Sequence, residues 1–334
     1  MLVVGVGRSG TSLLTGVLGQ LGFHIPQPEV QADDTNPRGF GEPRWVVDFH
    51  TRQLRKRDVT VNDSRPSAWE KTTAAKDHEP TVAELRTWLD GELNQGDAVV
   101  VKDPRTVWFL PLWKRCATEL GVPTTYVTML RHPAEILASA FKSYGDWQSG
   151  ASRASAWMNM TFETERLTRG EPRAFVRYEN LMADWRREVA RVGALLDLPL
   201  ITDGIPDERA AAVDAFVDPT LHRNRVEWAD VDVPPRVVEL AERTWQDVLA
   251  LADPGGDTQP AQAKLDADRS EFVALHEEAE AIAQSAVTAA RREGRRKGAA
   301  KAAGKQPPSL RVRIARRIPV RYRRRLRGVL RRPT

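Results

Sequence analysis

The chemistry begins with a glycine-rich stretch at the front of the chain. Gly5-Val6-Gly7-Arg8-Ser9-Gly10-Thr11-Ser12 follows the apolar run Leu2-Val3-Val4 and precedes the apolar Leu13-Leu14-Thr15-Gly16-Val17-Leu18. Strand, glycine loop and helix in that order make an anion cradle. The loop N–H groups and the helix N-terminus converge on one point, and glycine lets the backbone approach it. The spacing follows G-x-x-x-x-G, but Thr11 stands where a nucleoside triphosphatase loop carries its Lys. That Lys serves the β- and γ-phosphates, and the final Ser/Thr serves Mg²⁺. A donor with no γ-phosphate and no metal therefore fits the loop better, with Arg8 supplying the positive charge.

A second constellation lies far along the chain. Arg131 ends an apolar run, and Ser139 follows eight residues later in Leu130-Arg131-His132-Pro133-Ala134-Glu135-Ile136-Leu137-Ala138-Ser139. An Arg at a strand end and a Ser two turns into the next helix can clasp one more phosphate. Lys102-Asp103 and Tyr178 also close apolar runs.

These residues need a scaffold that brings strand ends together. Ala98–Val101, Thr124–Leu130 and Ala174–Tyr178 read as buried strands, and Phe23–Pro26 as a short strand or an extended turn. Amphipathic helices are expected from Leu13 to about Gly22, at Arg44–Leu54, at 82–93 with Thr81 as cap, and at Leu110–Leu120. Further helices are expected at 134–144, 151–169, 182–196, 207–216, 235–252 and 262–293. Residues 27–44 are rich in Pro, Gly, Asp and Asn and read as a loop beside the phosphate site, while 55–78 carry little signal. Strands alternating with helices predict an α/β fold, three layers deep, with a central parallel sheet. Ligands in such sheets bind outside the carboxyl ends of the strands, where the loop, Lys102, Arg131 and Tyr178 all fall.

Composition bounds the remainder. Cys116 is the single cysteine, so no intramolecular disulfide forms, which suits a reducing compartment. The opening apolar run is too short for a secretory leader, and no stretch approaches the ~20 apolar residues of a spanning helix. The net charge of +5 hides a split: residues 291–334 hold 18 Lys/Arg against one acid, leaving 32 basic and 44 acidic residues before them. Residues 1–255 read as the main domain, 256–300 as a charged helical extension and 301–334 as a basic tail. Lys297–Pro308 reads as a linker. Within 309–332, Leu310, Ile314, Ile318, Tyr322, Leu326 and Leu330 recur among eleven arginines.

Taken together, these motifs resemble the sulfotransferases that use 3'-phosphoadenosine 5'-phosphosulfate. In that family a PRSGTS-like loop holds the 5'-phosphosulfate, here GRSGTS, and R-x-P-x-x-x-x-x-S holds the 3'-phosphate, here Arg131 to Ser139. Val176-Arg177-Tyr178-Glu179-Asn180-Leu181 is similar to the YE-x-L element whose Tyr lies near adenine. Asn36-Pro37-Arg38-Gly39-Phe40-Gly41-Glu42 is similar to the G-F-W/F-E segment of bacterial members. The four matches occur in family order across roughly residues 2–250.

The resemblance implies donor contacts at Gly7, Arg8, Ser9, Gly10, Thr11, Ser12, Arg131, Ser139 and Tyr178. His222-Arg223-Asn224-Arg225 is an approximate counterpart of the basic loop over the 3'-phosphate, which adds Arg223 and Arg225. It also implies sulfuryl transfer to a hydroxyl or amine, with Arg8 or Lys102 as the cation at the bridging oxygen and a His or Glu as general base. Glu42 is the first candidate base and Glu29 the second, followed by Asp103 and His24. The expected acceptor is a carbohydrate or glycolipid, with Trp45, Trp69, Trp147 and Trp157 as candidate stacking surfaces. The tail suits an anionic membrane surface, which gives a cytoplasmic protein able to sit peripherally on the inner face of a membrane. Specific nucleic-acid recognition is not expected, and oligomeric state stays open. Two other readings remain: a P-loop small-molecule kinase or nucleotide hydrolase, and a non-enzymatic anion- or membrane-binding adaptor.

Overall fold

The computed structural model describes residues 1–36, 38–96, 98–218 and 225–304. Four parallel strands form its sheet in the order β2-β1-β3-β4: β1 (Leu2–Val4), β2 (Val101–Lys102), β3 (Tyr126–Leu130) and β4 (Arg173–Arg177). The register sets Val3 beside Lys102 and Val127, and Leu130 beside Arg177. The chain leaves β1 toward β2 on one side and later fills the other side with β3 and β4. A crevice therefore opens where the order reverses, at the carboxyl ends of β1 and β3.

Both sheet faces are covered, and alternation along the strands supplies both cores. Leu2, Val4, Val101 and Tyr126 point into one, while Val3, Val100, Val127 and Met129 point into the other. The first core is closed by α2 (Arg44–Lys56), α3 (Ala68–Thr73), α4 (Glu79–Leu93) and α5 (Leu110–Glu119). Six of the ten tryptophans of the chain are buried in the cores, and Trp69 stacks on Trp108 at 4.1 Å. The second core is closed by α1 (Thr11–Gln20), then α8 (Tyr178–Ala183), α9 (Trp185–Leu196), α10 (Pro199–Thr202) and α11 (Asp207–Phe216). A third cluster joins α6 (Pro133–Tyr144), α7 (Gly150–Leu167), α12 (Pro235–Ala250) and the start of α13 (Gln259–Gly304).

The expected α/β architecture with its parallel sheet is present, and local departures have physical causes. Helix α4 starts earlier than expected because the His78 ring, not Thr81, caps it by accepting from the Thr81 N–H. The helix expected over 182–196 is divided at Asp184, whose carboxylate caps α9 through the Arg187 N–H. Phe23–Pro26 is extended, with a single bridge from His24 to Val99. Helix α13 runs on to Gly304, into the stretch expected as a linker, because Ala and Lys are good helix formers. Residues 305–308 and the basic segment 309–332 lie outside the described residues.

The first compact unit runs from Met1 to His276, so Leu265 and Phe272 of α13 belong to its core. From Glu277 onward the described helix is highly charged, with an ion pair from Lys297 to Glu293 at 2.5 Å. Among the described residues, no helix is long and apolar enough to cross a membrane.

Candidate active site

The glycine loop wraps tightly at the end of β1. The Ser9 N–H bonds the Val6 carbonyl at 3.2 Å, and Arg8 and Gly10 adopt left-handed backbone angles, φ 74° and 98°. Gly10 is needed for two reasons: its φ, and a close approach, since a Cβ there would strike the Tyr178 ring. Helix α1 begins at once, and its first N–H groups have no intrahelical acceptor. They face a cavity of about 200 Å³ that also meets Arg8, Ser12, Glu42, Lys102, Arg131, Ser139 and Tyr178.

A non-glycine residue at positive φ costs about 1–3 kcal/mol and persists only when its surroundings hold it. Arg8 is held at both ends. Its Nε donates to Ser139 Oγ at 2.9 Å, and its carbonyl accepts from Arg131 Nη1 at 3.3 Å. The Arg131 guanidinium lies 4.7 Å over the Tyr178 ring, with its Nε on Glu135 at 2.7 Å. Burial pushes the Tyr178 phenol up, against the pull of Arg131. Chain segments 131 residues apart thus meet over one loop.

On the β2 side, Lys102 is almost fully buried at 2% exposure. Its Nζ donates to Glu42 Oε1 at 2.7 Å, the Phe40 carbonyl at 3.0 Å and Ser12 Oγ at 3.1 Å. One ammonium therefore ties the helix N-terminus to the loop that carries Glu42. That loop is pinned from below, because a Cβ at Gly41 would press on Thr15.

Behind this pair lies a buried polar chain. Arg105 Nη1 is 3.9 Å from Glu42 Oε2 and 2.7 Å from Asp103 Oδ1. Asp103 Oδ2 is 2.8 Å from His50 Nδ1, and His50 Nε2 is 3.0 Å from Trp113 Nε1. The indole N–H can only donate, so His50 Nε2 accepts and its proton sits on Nδ1. Burial pushes the His50 ring down and keeps it neutral. Burial also pushes the Asp103 carboxyl up, but the hydrogen bond from His50 and the charge of Arg105 overcome it, leaving it at about 2.

Most of the residues singled out from sequence line the cavity; several do not. Ser9 turns its hydroxyl beneath the loop, 1% exposed and without a hydrogen-bond partner among the described atoms. The Glu29 carboxylate accepts from Gln27 at 2.8 Å, and its backbone bridges Pro43 outside the cavity wall. His24 pairs with Glu92 at 3.0 Å, and Asp103 is sealed beneath the site. Trp69 and Trp157 are core, Trp45 stacks on Trp88 at 4.7 Å, and Trp147 is 67% exposed. Arg223 lies outside the described residues. Arg225 borders a neighbouring cavity of about 540 Å³, which shares Arg131 and Tyr178 with the first.

Tyr144, Met182, Phe216 and Asp218 line the loop cavity without having been singled out. Phe216 did leave a trace. Gly16 sits inside an apolar helix, where glycine is unfavourable, and a Cβ there would strike the Phe216 ring. Arg38 closes this side, lying 5.6 Å over Phe216 and pairing with Asp218 at 3.3 Å. Among the described residues, no group of three or more His, Cys, Asp or Glu is arranged to hold a metal ion.

No curated protein and no solved structure matches the chain. The family model described as "Sulfotransferase family" matches residues 1–203, which take in the loop, Glu42, Lys102, the Arg131–Ser139 pair and Tyr178. The chain belongs to the sulfotransferase family and is a transferase that moves sulfuryl groups.

Proposed function

We propose that the loop cavity binds 3'-phosphoadenosine 5'-phosphosulfate and passes its sulfuryl group to a hydroxyl or amine, on a carbohydrate or glycolipid acceptor. One observation carries this reading. Arg8 bonds Ser139, and Arg131 bonds the Arg8 carbonyl, so two separate anion-binding elements share one site. A donor with anionic groups at both the 5' and 3' ends needs such a pair.

The residues present suit that donor. Gly7, Gly10, Thr11 and Ser12, with the first N–H groups of α1, face the 5' end, while Arg131 and Ser139 serve the 3'-phosphate. Tyr178 borders the nucleoside, and Arg225, with Arg223, supplies further positive charge. Arg8 and Lys102 are the cations for charge growing on the bridging oxygen as its bond to sulfur breaks. The acceptor oxygen or nitrogen bonds to sulfur, its proton passes to Glu42, and 3'-phosphoadenosine 5'-phosphate leaves with the bonding pair. Glu42 is favoured over Glu29 because it lines the cavity beside Lys102.

The basic segment 309–332 completes the reading. It would hold the enzyme on an anionic membrane surface near its acceptor. Calorimetry with 3'-phosphoadenosine 5'-phosphate and with ATP–Mg²⁺ tests the donor assignment. Saturable binding of the first alone is expected, and preference for ATP–Mg²⁺ would transfer the chain's donor to the kinase reading.

A further inference from the structure

The charges behind the loop cavity alternate along one line: Lys102, Glu42, Arg105, Asp103. Successive separations are 2.7, 3.9 and 2.7 Å. The first pair contains a conflict. An ammonium has three N–H donors, and Lys102 spends them on Glu42, Phe40 and Ser12. To meet a developing charge on the donor, Lys102 must give up one of the three. If it turns from Glu42, a carboxylate that is only 8% exposed loses its nearest cation.

Arg105 faces the other carboxylate oxygen, Oε2, and does not depend on Lys102. It is held from behind. Its backbone N–H and its Nη1 both donate to Asp103 Oδ1, at 3.0 and 2.7 Å. Pro104 stands between the two residues and fixes the turn. Asp103 is 1% exposed, and its second oxygen is taken by His50. The His50 ring stacks on Phe109 at 5.0 Å and is locked in one tautomer by Trp113. The Arg105 Nε is buried with no hydrogen-bond partner among the described atoms, a cost tolerated because Asp103 and Glu42 fix the head group.

We propose that Arg105 is a positioning residue for sulfuryl transfer. It keeps the Glu42 carboxylate aimed into the cavity while Lys102 turns to the donor, and Asp103, His50 and Trp113 form its rigid mount. The inference rests on the reading of Glu42 as proton acceptor. Arg105 and its mount stand behind the cavity wall, which is lined by Glu42 and Lys102, so Arg105 acts on the rate and not on donor affinity.

The test uses the full chain, with water as the probe acceptor and sulfate release from 3'-phosphoadenosine 5'-phosphosulfate as the rate. Binding of 3'-phosphoadenosine 5'-phosphate and thermal unfolding are measured alongside. Arg105→Gln is expected to slow single-turnover release about ten- to hundredfold while donor-product affinity holds within about twofold, since small misplacements of a catalytic group have effects of that size. Arg105→Lys restores part of the rate, and His50→Phe slows it without weakening binding. Full-rate turnover by Arg105→Gln overturns the proposal, as does a fall in rate matched by an equal fall in affinity or by loss of the folded state. Glu42→Gln in the same assay separates the two readings. If it is inactive while Arg105→Gln is fully active, the positioning role alone fails. If it is fully active, the assignment of Glu42 fails and takes this inference with it.

Discussion

Lys102 and Glu42 form a nearly buried ion pair, 2.7 Å from Nζ to Oε1, between the carboxyl end of β2 and a loop sixty residues earlier. The pair places a cation suited to a leaving oxygen against a carboxylate suited to an incoming proton. In the proposed reaction the two charges part when the donor arrives, because each then has a partner on the substrates.

Replacing Glu42 tests the base. Glu42→Gln keeps a hydrogen-bond acceptor for Lys102 but cannot take a proton. Sulfuryl transfer should fall about 10²- to 10⁴-fold, with affinity for 3'-phosphoadenosine 5'-phosphate unchanged. Retained turnover, measured with labelled donor, would remove Glu42 from the mechanism.

Arg131 is expected to act on binding. It contacts the loop carbonyl of Arg8 and lies over Tyr178, and in the proposed complex it also meets the 3'-phosphate. Loss of one charged hydrogen-bonding group is worth about 1.5–3 kcal/mol, so Arg131→Ala should weaken product binding about ten- to hundredfold. Equal calorimetric affinity for wild type and variant would contradict the assignment.

Gly10→Ala probes the loop backbone. A left-handed φ costs an L-residue about 1–2 kcal/mol, and the new Cβ must also displace the Tyr178 ring. Lower thermal stability is expected together with weaker donor binding, since Tyr178 and the loop move as one. A variant with wild-type values in both measurements would show that the loop has another conformation available.

The buried His50–Asp103 pair predicts acid sensitivity. Unfolded His50 takes a proton below its ordinary value of 6.5, whereas burial in the fold resists it. Unfolded Asp103 protonates near 3.8, but in the fold its carboxyl sits at about 2. In both windows the unfolded chain binds more protons, so stability rises with pH and is lost as pH falls. The Asp103 share is on the order of 2 kcal/mol, lost between about pH 4 and pH 2. Urea unfolding at a series of pH values checks this, and His50→Phe should flatten the limb just below neutrality.

The basic tail makes a separable prediction. Removing residues 305–334 should abolish binding to vesicles rich in anionic phospholipid and leave sulfuryl transfer to a soluble acceptor intact. Equal vesicle binding with and without the tail would dismiss the membrane role.

Local chemistry made much of the protein legible from sequence. An apolar run before a glycine loop and a second apolar stretch reads as strand, loop and helix, and the strand ends near Lys102, Arg131 and Tyr178 are marked by changes from apolar to polar residues. Because a parallel sheet gathers such ends on one edge, the sequence pattern alone groups these residues at one site. What the sequence could not supply was pairing across distance. That the Arg8 side chain would reach Ser139, that Glu42 and not Glu29 would face Lys102, and that His50 would lie under Asp103 depend on how helices and loops pack over the sheet. Those contacts join segments fifty or more residues apart, where no local spacing specifies which side chains meet. The tertiary structure alone decided them, because burial leaves each charged group only the partners that packing brings within hydrogen-bond reach.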